Sequence, residues 1–585
     1  MKGADLLVDM LIRYGVDTIF GVPGDTSVSF YNALQQRSKE IRHVMARDER
    51  SAGFMADAYA RLTNKPAVFE CPSGAGAMYS LPPLAESNGS SVPVILLTID
   101  LPLAAEGRGV LTELDCARLF APVVKLSAQV KLASKLPETI RRAFRAACAG
   151  KPGAVHLQIP EDLLSTTIDP TGLSLHVQPE CRTYPAFRTA ASHEDVQAVL
   201  AAIDASSRPV FVAGGGVNRS HAGEALTQAA QSLGVPVVTT LTGQHVLPQD
   251  HPLLFGVAGD NGFQPTANLA LEEADLVIVL GSKVGSVLTM GGTFPSTPLH
   301  GRVIQVDVDA DCLGNNVHNR LSIAADARTF LRQLVAAAPA DRDTATTAAW
   351  IARLREGRRA CVAAQLEMAR SDSAPLHPAR VFSELSERIE RSDTPFNILC
   401  DAGTPTPYSA RFLRLGHAGS RFVVPRAFGG LGYSLPAVVG AWHADRSRRP
   451  IALFGDGSFN MCMGEIETLV RLQVPALLVL FNNAAFGWIK GLQCLRGDTP
   501  FGVDFDPACG NDVAAAFGLR SWSARTPGEL AAALDEAFLH DGPCLLDVHV
   551  ESIADKVPPV ASWELKAKRL ALQSACAAVP KEAVA

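Results

Sequence analysis

The chain has no two cysteines at Cys-x-x-Cys spacing and no cluster of histidine and cysteine at zinc spacing. Its 12 cysteines are scattered, which argues against a disulfide framework or a structural zinc site and predicts reduced thiols. No uninterrupted apolar run reaches the length of a membrane span, and the N-terminus lacks the pattern of a signal peptide. We therefore expect a cytoplasmic protein with no membrane partner.

Charge is also sparse and nearly balanced. Charged residues make up 19% of the chain, the formal net charge is −6, and no long basic run occurs, so nucleic acid is not the expected partner. No repeat at solenoid period and no low-complexity tract is present. With 585 residues and 47% hydrophobic content, the chain is too long for one core and indicates three domains.

Short apolar runs typical of buried strands alternate with helical stretches in three segments. A polar, proline-bearing stretch at 169–188 predicts a linker, and an Ala- and Arg-rich helical connection precedes the third segment. The predicted fold class is α/β, with three doubly wound parallel-sheet domains. We place these domains at residues 1–168, 190–338 and 375–552, followed by a C-terminal tail at 553–585.

The most informative motif is Gly455-Asp456-Gly457-Ser458, which Asn483 follows 27 positions after Asp456. Residues 450–454 and 476–481 are short apolar runs that predict two buried parallel strands, and residues 465–473 have helical character. Because the carboxyl ends of parallel strands meet at one edge of a sheet, we expect Asp456 and Asn483 to lie side by side.

This pair suits a magnesium ion that holds a diphosphate. Mg²⁺ prefers oxygen ligands and shares its shell between one or two protein oxygens, phosphates and water. Gly455 and Gly457 allow backbone N–H groups to approach anionic oxygens, and the next helix presents its positive end there. The alternative is an ordinary turn and loop, against which the flanking strands and the interval both argue.

The interval between Gly-Asp-Gly and Asn-Asn resembles the motif of enzymes that depend on thiamin diphosphate (ThDP). The three segments match, in order, the pyrimidine-binding, central and diphosphate-binding domains of the ThDP decarboxylase and acetolactate synthase group. The resemblance covers most of the chain. It implies ThDP and Mg²⁺ as cofactors, with Asp456, Asn483 and the carbonyl of Ala485 as magnesium ligands.

Glu49 is the catalytic residue that the resemblance implies. It precedes Ala58-Tyr59-Ala60-Arg61, which is similar to the Gly-Tyr-Ala-Arg that follows the family's glutamate. That glutamate hydrogen-bonds the aminopyrimidine ring, and protonation of the ring nitrogen favours the imino tautomer that generates the ylide. Taken alone, Glu49 would be an acidic residue in the first turn of a helix.

A third match is residues 427–437, close to the family's Gly-Gly-Leu-Gly-Phe-x-Leu-Pro-Ala. It places Leu431 as the wedge that holds the cofactor in its V-shaped conformation. Residues 72–76 resemble the loop beside the pyrimidine. The cofactor-binding residues implied in this way are Ser73, Gly403, Thr404, Gly429, Leu431, Gly455, Asp456, Gly457, Ser458, Asn483, Ala485 and Phe486.

The family places the glutamate and the diphosphate clamp on different subunits. The resemblance therefore implies an active site at a dimer interface and an inactive monomer. The expected assembly is a homodimer at minimum, and a homotetramer is the alternative because many relatives are dimers of dimers.

The substrate side departs from the relatives. The pattern is nearest to acetolactate synthase, yet Leu111-Thr112 stands where those synthases carry Phe-Gln. Benzoylformate decarboxylase and benzaldehyde lyase are the competing comparison, but Val22, Asp25 and Pro72 stand where these enzymes carry histidine or serine. The candidate substrate residues are Asp25, Thr112 and Trp488. Each also has a structural interpretation, as a helix cap, a loop residue or packing.

The central segment resembles the domain that binds FAD in acetolactate synthases and ADP in oxalyl-CoA decarboxylases. Residues 256–262 and 306–309 are similar to nucleotide-contacting loops. Residues 282–286 lack the arginine-bearing flavin signature, so FAD is a candidate cofactor against which this loop argues. Gly214-Gly215-Gly216 alone is a weak dinucleotide signal.

The predicted function is a ThDP- and Mg²⁺-dependent carboligase or decarboxylase that acts on a 2-oxo acid such as pyruvate, in the manner of acetolactate synthase. The first alternative is a carbon–carbon lyase or hydrolase of a diketone or 2-hydroxyacyl compound. The second is a non-catalytic paralogous subunit, against which the presence of Glu49, Asp456 and Asn483 argues.

Overall fold

The computed structural model describes residues 1–339, 342, 344–416, 420–506, 509–553 and 556–577. Within these residues the chain forms three six-stranded sheets, and every pair of neighbouring strands is parallel. Helices connect the strands and cover the sheets. The predicted fold class is confirmed.

The first sheet has the strand order β2-β1-β3-β4-β6-β5. Its strands are β1 Thr18–Gly21, β2 Arg42–Met45, β3 Ala67–Pro72, β4 Val94–Asp100, β5 Leu126–Gln129 and β6 Val155–Pro160. Its helices are α1 Gly3–Arg13, α2 Val28–Gln36, α3 Glu49–Thr63, α4 Ala75–Tyr79, α5 Leu81–Gly89, α6 Cys116–Phe120, α7 Leu136–Cys148 and α8 Glu161–Ser165. The four inner strands are buried almost throughout, as is usual when helices cover both faces of a parallel sheet, whereas the edge strands β2 and β5 are partly exposed.

The central sheet has the order β12-β11-β10-β7-β8-β9, which reverses direction between β10 and β7. Its strands are β7 Pro209–Ala213, β8 Val237–Thr239, β9 Leu254–Val257, β10 Leu276–Leu280, β11 Val303–Asp307 and β12 Leu321–Ala324. Its helices are α9 His193–Asp204, α10 Gly215–Arg219, α11 Gly223–Leu233, α12 Pro265–Glu273, α13 Ser286–Thr289 and α14 Ala327–Ala337, and the long helix α15 Ala345–Ala369 leads to the next sheet. This order is that of dinucleotide-binding folds, whose ligands lie where the strand order reverses.

The third sheet, β14-β13-β15-β16-β18-β17, repeats the order of the first. Its strands are β13 Phe396–Cys400, β14 Arg421–Val423, β15 Arg449–Gly455, β16 Leu477–Asn482, β17 Arg520–Ala524 and β18 Cys544–His549. Its helices are α16 Pro378–Arg391, α17 Pro405–Phe412, α18 Ser434–Ala444, α19 Asp456–Cys462, α20 Ile466–Arg471, α21 Gly487–Arg496, α22 Gly510–Ala516 and α23 Pro527–Leu539. The two predicted strands beside the Gly-Asp-Gly-Ser motif are β15 and β16, which pair directly.

Helices α3 and α18 fasten the first domain to the third within one chain. Gly440 lies so close to α3 that a Cβ atom there would be 2.0 Å from the carbonyl oxygen of Met55. The Tyr433 hydroxyl donates a hydrogen bond of 2.7 Å to Asp57, which also pairs with Arg61 at 2.6 Å. A glycine at the helix crossing and a buried polar cluster therefore fix these two domains against each other.

The segment predicted as a C-terminal tail is helical in part. Helix α24, Ala561–Ala577, begins beside the central domain, where the backbone N–H of Ser562 donates to Asp260 at 2.8 Å. The ring of Trp563 packs on Trp488 of the third domain at a centroid distance of 4.6 Å. Residues 578–585 of the predicted tail lie outside the described residues.

In the part of the chain that the structure describes, no helix is both long enough and apolar enough to span a membrane. The cysteines whose side chains are described are all unpaired.

Candidate functional site

Asp456 and Asn483 meet at the carboxyl ends of β15 and β16. The Asp456 carboxylate accepts hydrogen bonds from the backbone N–H groups of Asn483 at 2.9 Å, Ala484 at 2.6 Å and Gly457 at 2.8 Å. Gly455 is the N-cap of α19, so a helix begins at Asp456 itself. The sequence pattern predicts helical structure only from residue 465 to residue 473. The expected proximity of the two side chains follows from the direct pairing of the two strands.

Asp456 is 2% exposed, and burial raises the pKa of its carboxyl above the ordinary value. The backbone N–H groups of Asn483 and Gly457 oppose this rise by stabilising the charged form. The side-chain amide of Asn483 makes no hydrogen bond with another described residue. The donors at this edge are therefore a carboxylate, an amide and peptide carbonyls, the oxygen types that Mg²⁺ prefers.

A cavity of about 350 Å³ opens at this edge of the third sheet, where the strand order reverses between β13 and β15. Most of the predicted cofactor residues line it. They are Gly403, Thr404, Gly429, Leu431, Gly455, Asp456, Gly457, Ser458, Asn483, Ala485 and Phe486, together with Trp488 from the predicted substrate residues. The structure thus brings together the third-domain candidates around one space large enough for part of an organic cofactor.

Asp401, which the sequence analysis missed, organises this cavity from behind. Its fully buried carboxylate accepts hydrogen bonds from the backbone N–H groups of Tyr433 at 2.9 Å and Ser434 at 2.8 Å, and from the hydroxyl of Ser458. Burial raises the pKa of Asp401 to about 6. The available signal was its position directly after strand β13, facing the same edge as the clamp.

Asp401 and Ser458 also hold the glycine-rich loop at 427–432 in position. The backbone N–H of Gly432 donates to the Ser458 hydroxyl at 2.8 Å, which ties the loop to the clamp. Gly429 has a φ of +68°, a left-handed conformation that favours glycine. Leu431 is therefore held on a fixed backbone at the cavity wall.

Glu49 is the first residue of α3, beyond the end of β2 in the first domain. Its Oε1 atom lies against Gly76, where an added Cβ would be only 3.0 Å away. Burial raises the pKa of the Glu49 carboxyl above its ordinary value, and the charge of Asp48 adds to the rise. A half-buried carboxyl of this kind keeps its proton over a wider pH range than an exposed one.

The side chains of Ser73 and Thr112 are in contact close to Gly76, the residue that Glu49 lies against. Their hydroxyl oxygens are 2.8 Å apart, and Thr112 has a φ of +68°. Asp25 opens a short 3₁₀ turn after β1 and is exposed, while Gly24 next to it packs on Pro72. All four first-domain candidates therefore lie on loops or helix starts at the carboxyl ends of their parallel strands.

Within one chain, the described lining of the third-domain cavity includes Asn261 and residues between 402 and 489, and none of the first-domain candidates. Glu49, Ser73, Thr112 and Asp25 form a separate group on the first sheet. Within one chain, the predicted site residues therefore form two separate groups, one in the first domain and one in the third.

The aromatic candidates have packing partners. The Phe486 ring lies against Gly457, where an added Cβ would be 2.6 Å from the ring, and it meets Phe505 edge-on at 5.3 Å. Trp488 packs on Trp563 of α24. Phe486 and Trp488 also line the cavity. Each side chain therefore packs on another aromatic ring and at the same time forms part of the cavity wall.

Two acidic residues that follow Thr112 in the chain have structural roles. The Glu113 carboxylate accepts hydrogen bonds from the backbone N–H groups of Gly107, of Gly109 at 2.7 Å and of Val110 at 3.2 Å, which closes its own loop. Asp115 caps α6 by accepting from the N–H of Arg118 at 3.0 Å. Both side chains therefore stabilise the backbone on either side of Thr112.

The central sheet carries a second crevice, of about 520 Å³, where its strand order reverses between β10 and β7. Gly215, Gly216, residues 282–283 and residues 307–309 line it, whereas Ala258 is the part of the predicted loop 256–262 that reaches it. Lys283 is the basic residue that loop 282–286 contributes. Nothing in this loop supports the FAD assignment.

Comparison with known proteins identifies the three domains. Residues 1–119 match the N-terminal TPP binding domain of thiamine pyrophosphate enzymes, residues 196–334 match their central domain, and residues 401–548 match their C-terminal TPP binding domain.

Similar proteins extend over nearly the whole chain. A probable acetolactate synthase large subunit of Methanocaldococcus jannaschii is 31% identical over 96% of this chain and 93% of its own length. The acetolactate synthase isozyme 1 large subunit of Escherichia coli K12 is 30% identical over 96% of both chains. A probable 2-ketoarginine decarboxylase of Pseudomonas aeruginosa is 31% identical over 87% of this chain and 85% of its own. With its three parallel sheets and two site halves in the matching domains, this chain belongs to the thiamin diphosphate-dependent enzymes of the acetolactate synthase type.

Proposed function

We propose that this enzyme acts on a 2-oxo acid such as pyruvate and joins the decarboxylated fragment to an acceptor, as an acetolactate synthase-like carboligase. The observation that carries the proposal is the Asp456–Asn483 pair, set at the ends of two adjacent strands above a cavity lined by the predicted cofactor residues. A chain that had kept the fold without the chemistry would have no reason to retain this donor set together with Glu49.

In this proposal Mg²⁺ binds to the Asp456 carboxylate, the Asn483 amide oxygen and the Ala485 carbonyl. The residues fit the ion because all three donors are oxygens and line one cavity. The hydroxyl of Thr404 and the backbone of Gly403 and Gly457 lie on the same wall and would bind the diphosphate. When bound at these residues, Mg²⁺ would offset the negative charges of the diphosphate and of the buried Asp456 carboxylate.

Thiamin diphosphate supplies, when bound, a thiazolium carbon that becomes a nucleophile on losing its proton. Glu49 has the properties needed to hold a proton on the pyrimidine ring nitrogen, because burial raises the pKa of its carboxyl. Leu431 would fix the cofactor's shape from the opposite wall. From the first domain, Ser73 would lie beside the pyrimidine of the cofactor, and Thr112 would face the substrate.

The two half-sites require a second subunit. In the proposed homodimer, Glu49 of one protomer would face the Asp456 cavity of the other. Large apolar side chains next to both halves are exposed in the single chain, among them Leu111 at 88% and Phe428 at 69%. Exposed apolar groups of this size are typical of an interface. We also propose a cytoplasmic location, and a homotetramer as the alternative assembly.

The experiment is to mix the purified protein with ThDP, Mg²⁺ and a series of 2-oxo acids that starts with pyruvate. Carbon dioxide release and products are followed by mass spectrometry. We expect release together with an acetolactate-type product. The Glu49→Gln variant should lose about 10²–10⁴-fold of the rate. The matched control is Glu40→Gln, since Glu40 is a surface residue paired with Arg37, and it should keep the wild-type rate.

Simple decarboxylation is the second candidate, favoured by the similarity to the probable 2-ketoarginine decarboxylase and by Leu111-Thr112 at the acceptor side. Release of carbon dioxide with only an aldehyde as product would select it. No release from any acid, in a protein that binds ThDP, would contradict both and favour cleavage of a diketone or 2-hydroxyacyl compound. Equal rates for the wild type and Glu49→Gln would contradict the assigned mechanism.

A further inference from the structure

A cleft of about 350 Å³ lies where all three domains meet, apart from the cofactor cavity. The end of α3, the turn between α10 and α11, the loop after β8 and strand β14 form it. We call it the three-domain cleft. Arg61, Arg219 and Arg421 line it, and its described lining contains no aspartate or glutamate.

Two of the three arginines have no acidic partner within the part of the chain that the structure describes. Arg61 is neutralised by Asp57 at 2.6 Å. Among the described residues, Arg219 donates from Nε to the carbonyl oxygen of Ser91 at 3.0 Å, and Arg421 donates to the carbonyl oxygen of Leu62. A carbonyl oxygen carries no full charge, so both guanidinium groups lack a counterion at the cleft.

The lack of a counterion is costly for Arg219, which is partly buried, whereas Arg421 is exposed. Burial, together with the neighbouring charge of Arg61, lowers the pKa of Arg219 to about 10. Burial also lowers the pKa of Arg421, and Arg448 adds to that effect. A partly desolvated cation without a partner is destabilising, and an anion placed beside it would remove most of the cost.

Two neutral polar atoms of the cleft also lack partners. The Gln244 Oε1 and His245 Nε2 atoms are buried and make no hydrogen bond with the described residues. His245 and His221 both line the cleft in the left-handed conformation, with φ values of 61° and 53°, which is uncommon for side chains with a Cβ. Gln244 Oε1 is an amide oxygen, which accepts, and His245 Nε2 is a ring nitrogen, which can donate to a ligand; buried polar atoms without partners beside two cations are typical of a ligand site.

A further donor set faces the same space. Helix α11 has 11 residues, and its N-cap residue Ala222 provides no side-chain hydrogen bond to the first backbone N–H groups. Gly223 at this end lines the cleft. The positive end of the helix therefore adds to the field of the arginines.

We propose that the three-domain cleft binds a small organic anion with a carboxylate or phosphate group. Arg219 and Arg421 bind the oxyanion, since guanidinium groups match both oxyanions in geometry. Leu241, Val246 and Phe422 supply an apolar wall for the body of the ligand. Because the lining comes from all three domains, the bound anion ties them together, which is the property of a regulatory ligand.

The test is calorimetric titration of the protein loaded with ThDP and Mg²⁺, so that the diphosphate cavity is already filled. The probes are inorganic phosphate and hexanoate, which distinguish the two sources of the oxyanion. Arg421→Gln is the variant of choice, because Arg421 reaches the surface and lines this cleft and not the central crevice. Lys283→Gln is the matched control, since Lys283 lines the central crevice alone.

We expect saturable binding of at least one probe to the wild type. Arg421→Gln should weaken it about tenfold or more, and Arg421→Lys by less, because lysine keeps the charge without the planar fork. Lys283→Gln should leave it unchanged. Equal affinity in the wild type and Arg421→Gln, a loss confined to Lys283→Gln, or no saturable binding of either probe would each overturn the proposal.

Discussion

The Ser458 hydroxyl donates a hydrogen bond to the Asp401 carboxylate and, at the same time, accepts one from the backbone of the glycine-rich loop. Ser458 belongs to the diphosphate clamp, and the loop carries Leu431. A single buried carboxylate therefore sets the position of both walls of the cofactor cavity. Asp401 acts as a positioning residue because its side chain reaches the loop and the clamp through these hydrogen bonds.

Asp401→Asn should weaken ThDP binding and leave the fold intact but less stable. An amide cannot accept from every donor that faces it, so the free energy of unfolding should fall by about 1–3 kcal/mol. The dissociation constant for ThDP should rise roughly tenfold or more, because a misplaced wall costs binding geometry. Urea unfolding and ThDP titration measure the two effects.

The control for this change is Asp445→Asn. Asp445 accepts from the backbone of Ser447 at 3.0 Å and from Arg448 at 2.7 Å near the surface, and should tolerate the amide. A folded Asp401→Asn protein with wild-type ThDP affinity would show that Asp401 does not position the cavity.

Two inactive variants should restore each other. If Glu49 acts on the partner's cavity, a dimer of one Glu49→Gln chain and one Asp456→Ala chain contains one intact site. Mixing and reassociating equal amounts should give about a quarter of the wild-type activity, since half the dimers are mixed and each has one working site. Co-purification with two affinity tags isolates the mixed dimer for assay.

No recovery of activity in isolated mixed dimers would contradict the shared site. It would mean that each chain completes its own site, despite the separation of Glu49 from the cavity lining.

Stability should fall as the pH rises because of Glu70. Burial raises the pKa of this carboxyl to about 8 from an ordinary value of 4.5, and its Oε2 atom has no hydrogen-bond partner among the described residues. Between these two pH values the folded state holds a proton that the unfolded state releases. The contribution of Glu70 is therefore fully present below pH 4.5 and lost as pH rises through about 8.

Urea unfolding of the wild type and Glu70→Gln across this range tests the point. The glutamine keeps the size of the side chain and removes the titration, so its stability should depend less on pH. Parallel curves for the two proteins would show that Glu70 ionises normally in the folded state.

Trp563→Ala should destabilise the part of the cofactor-cavity wall that helix α24 supports. Trp563 packs on Trp488, which lines the cofactor cavity, and its ring is buried. Removing it should cost about 3–5 kcal/mol of packing, concentrated where α24 meets the third domain. We expect a lower thermal midpoint and weaker ThDP binding. Trp522→Ala, in strand β17 away from the cavity, should lower stability without changing ThDP affinity.

The clamp was predictable from the sequence because its determinants are local. Two short apolar runs that end at Gly455 and Asn482 predict neighbouring parallel strands, and this pairing alone brings Asp456 beside Asn483. The family resemblance added the roles of Glu49 and Leu431, which composition and spacing do not provide.

Asp401, Glu70 and Trp563 could not be assigned in the same way. Asp401 reaches residues far along the chain, Glu70 is a lone acid within an apolar strand, and Trp563 lies in a segment that composition described as a tail. The contacts that give each its role depend on how helices and domains pack, and no local pattern encodes them.

The close crossing at Gly440 restricts which residue the chain can carry there. The carbonyl oxygen of Met55 lies where the Cβ atom of any larger residue would have to go, so even one added methyl group at this position would force the first and third domains apart.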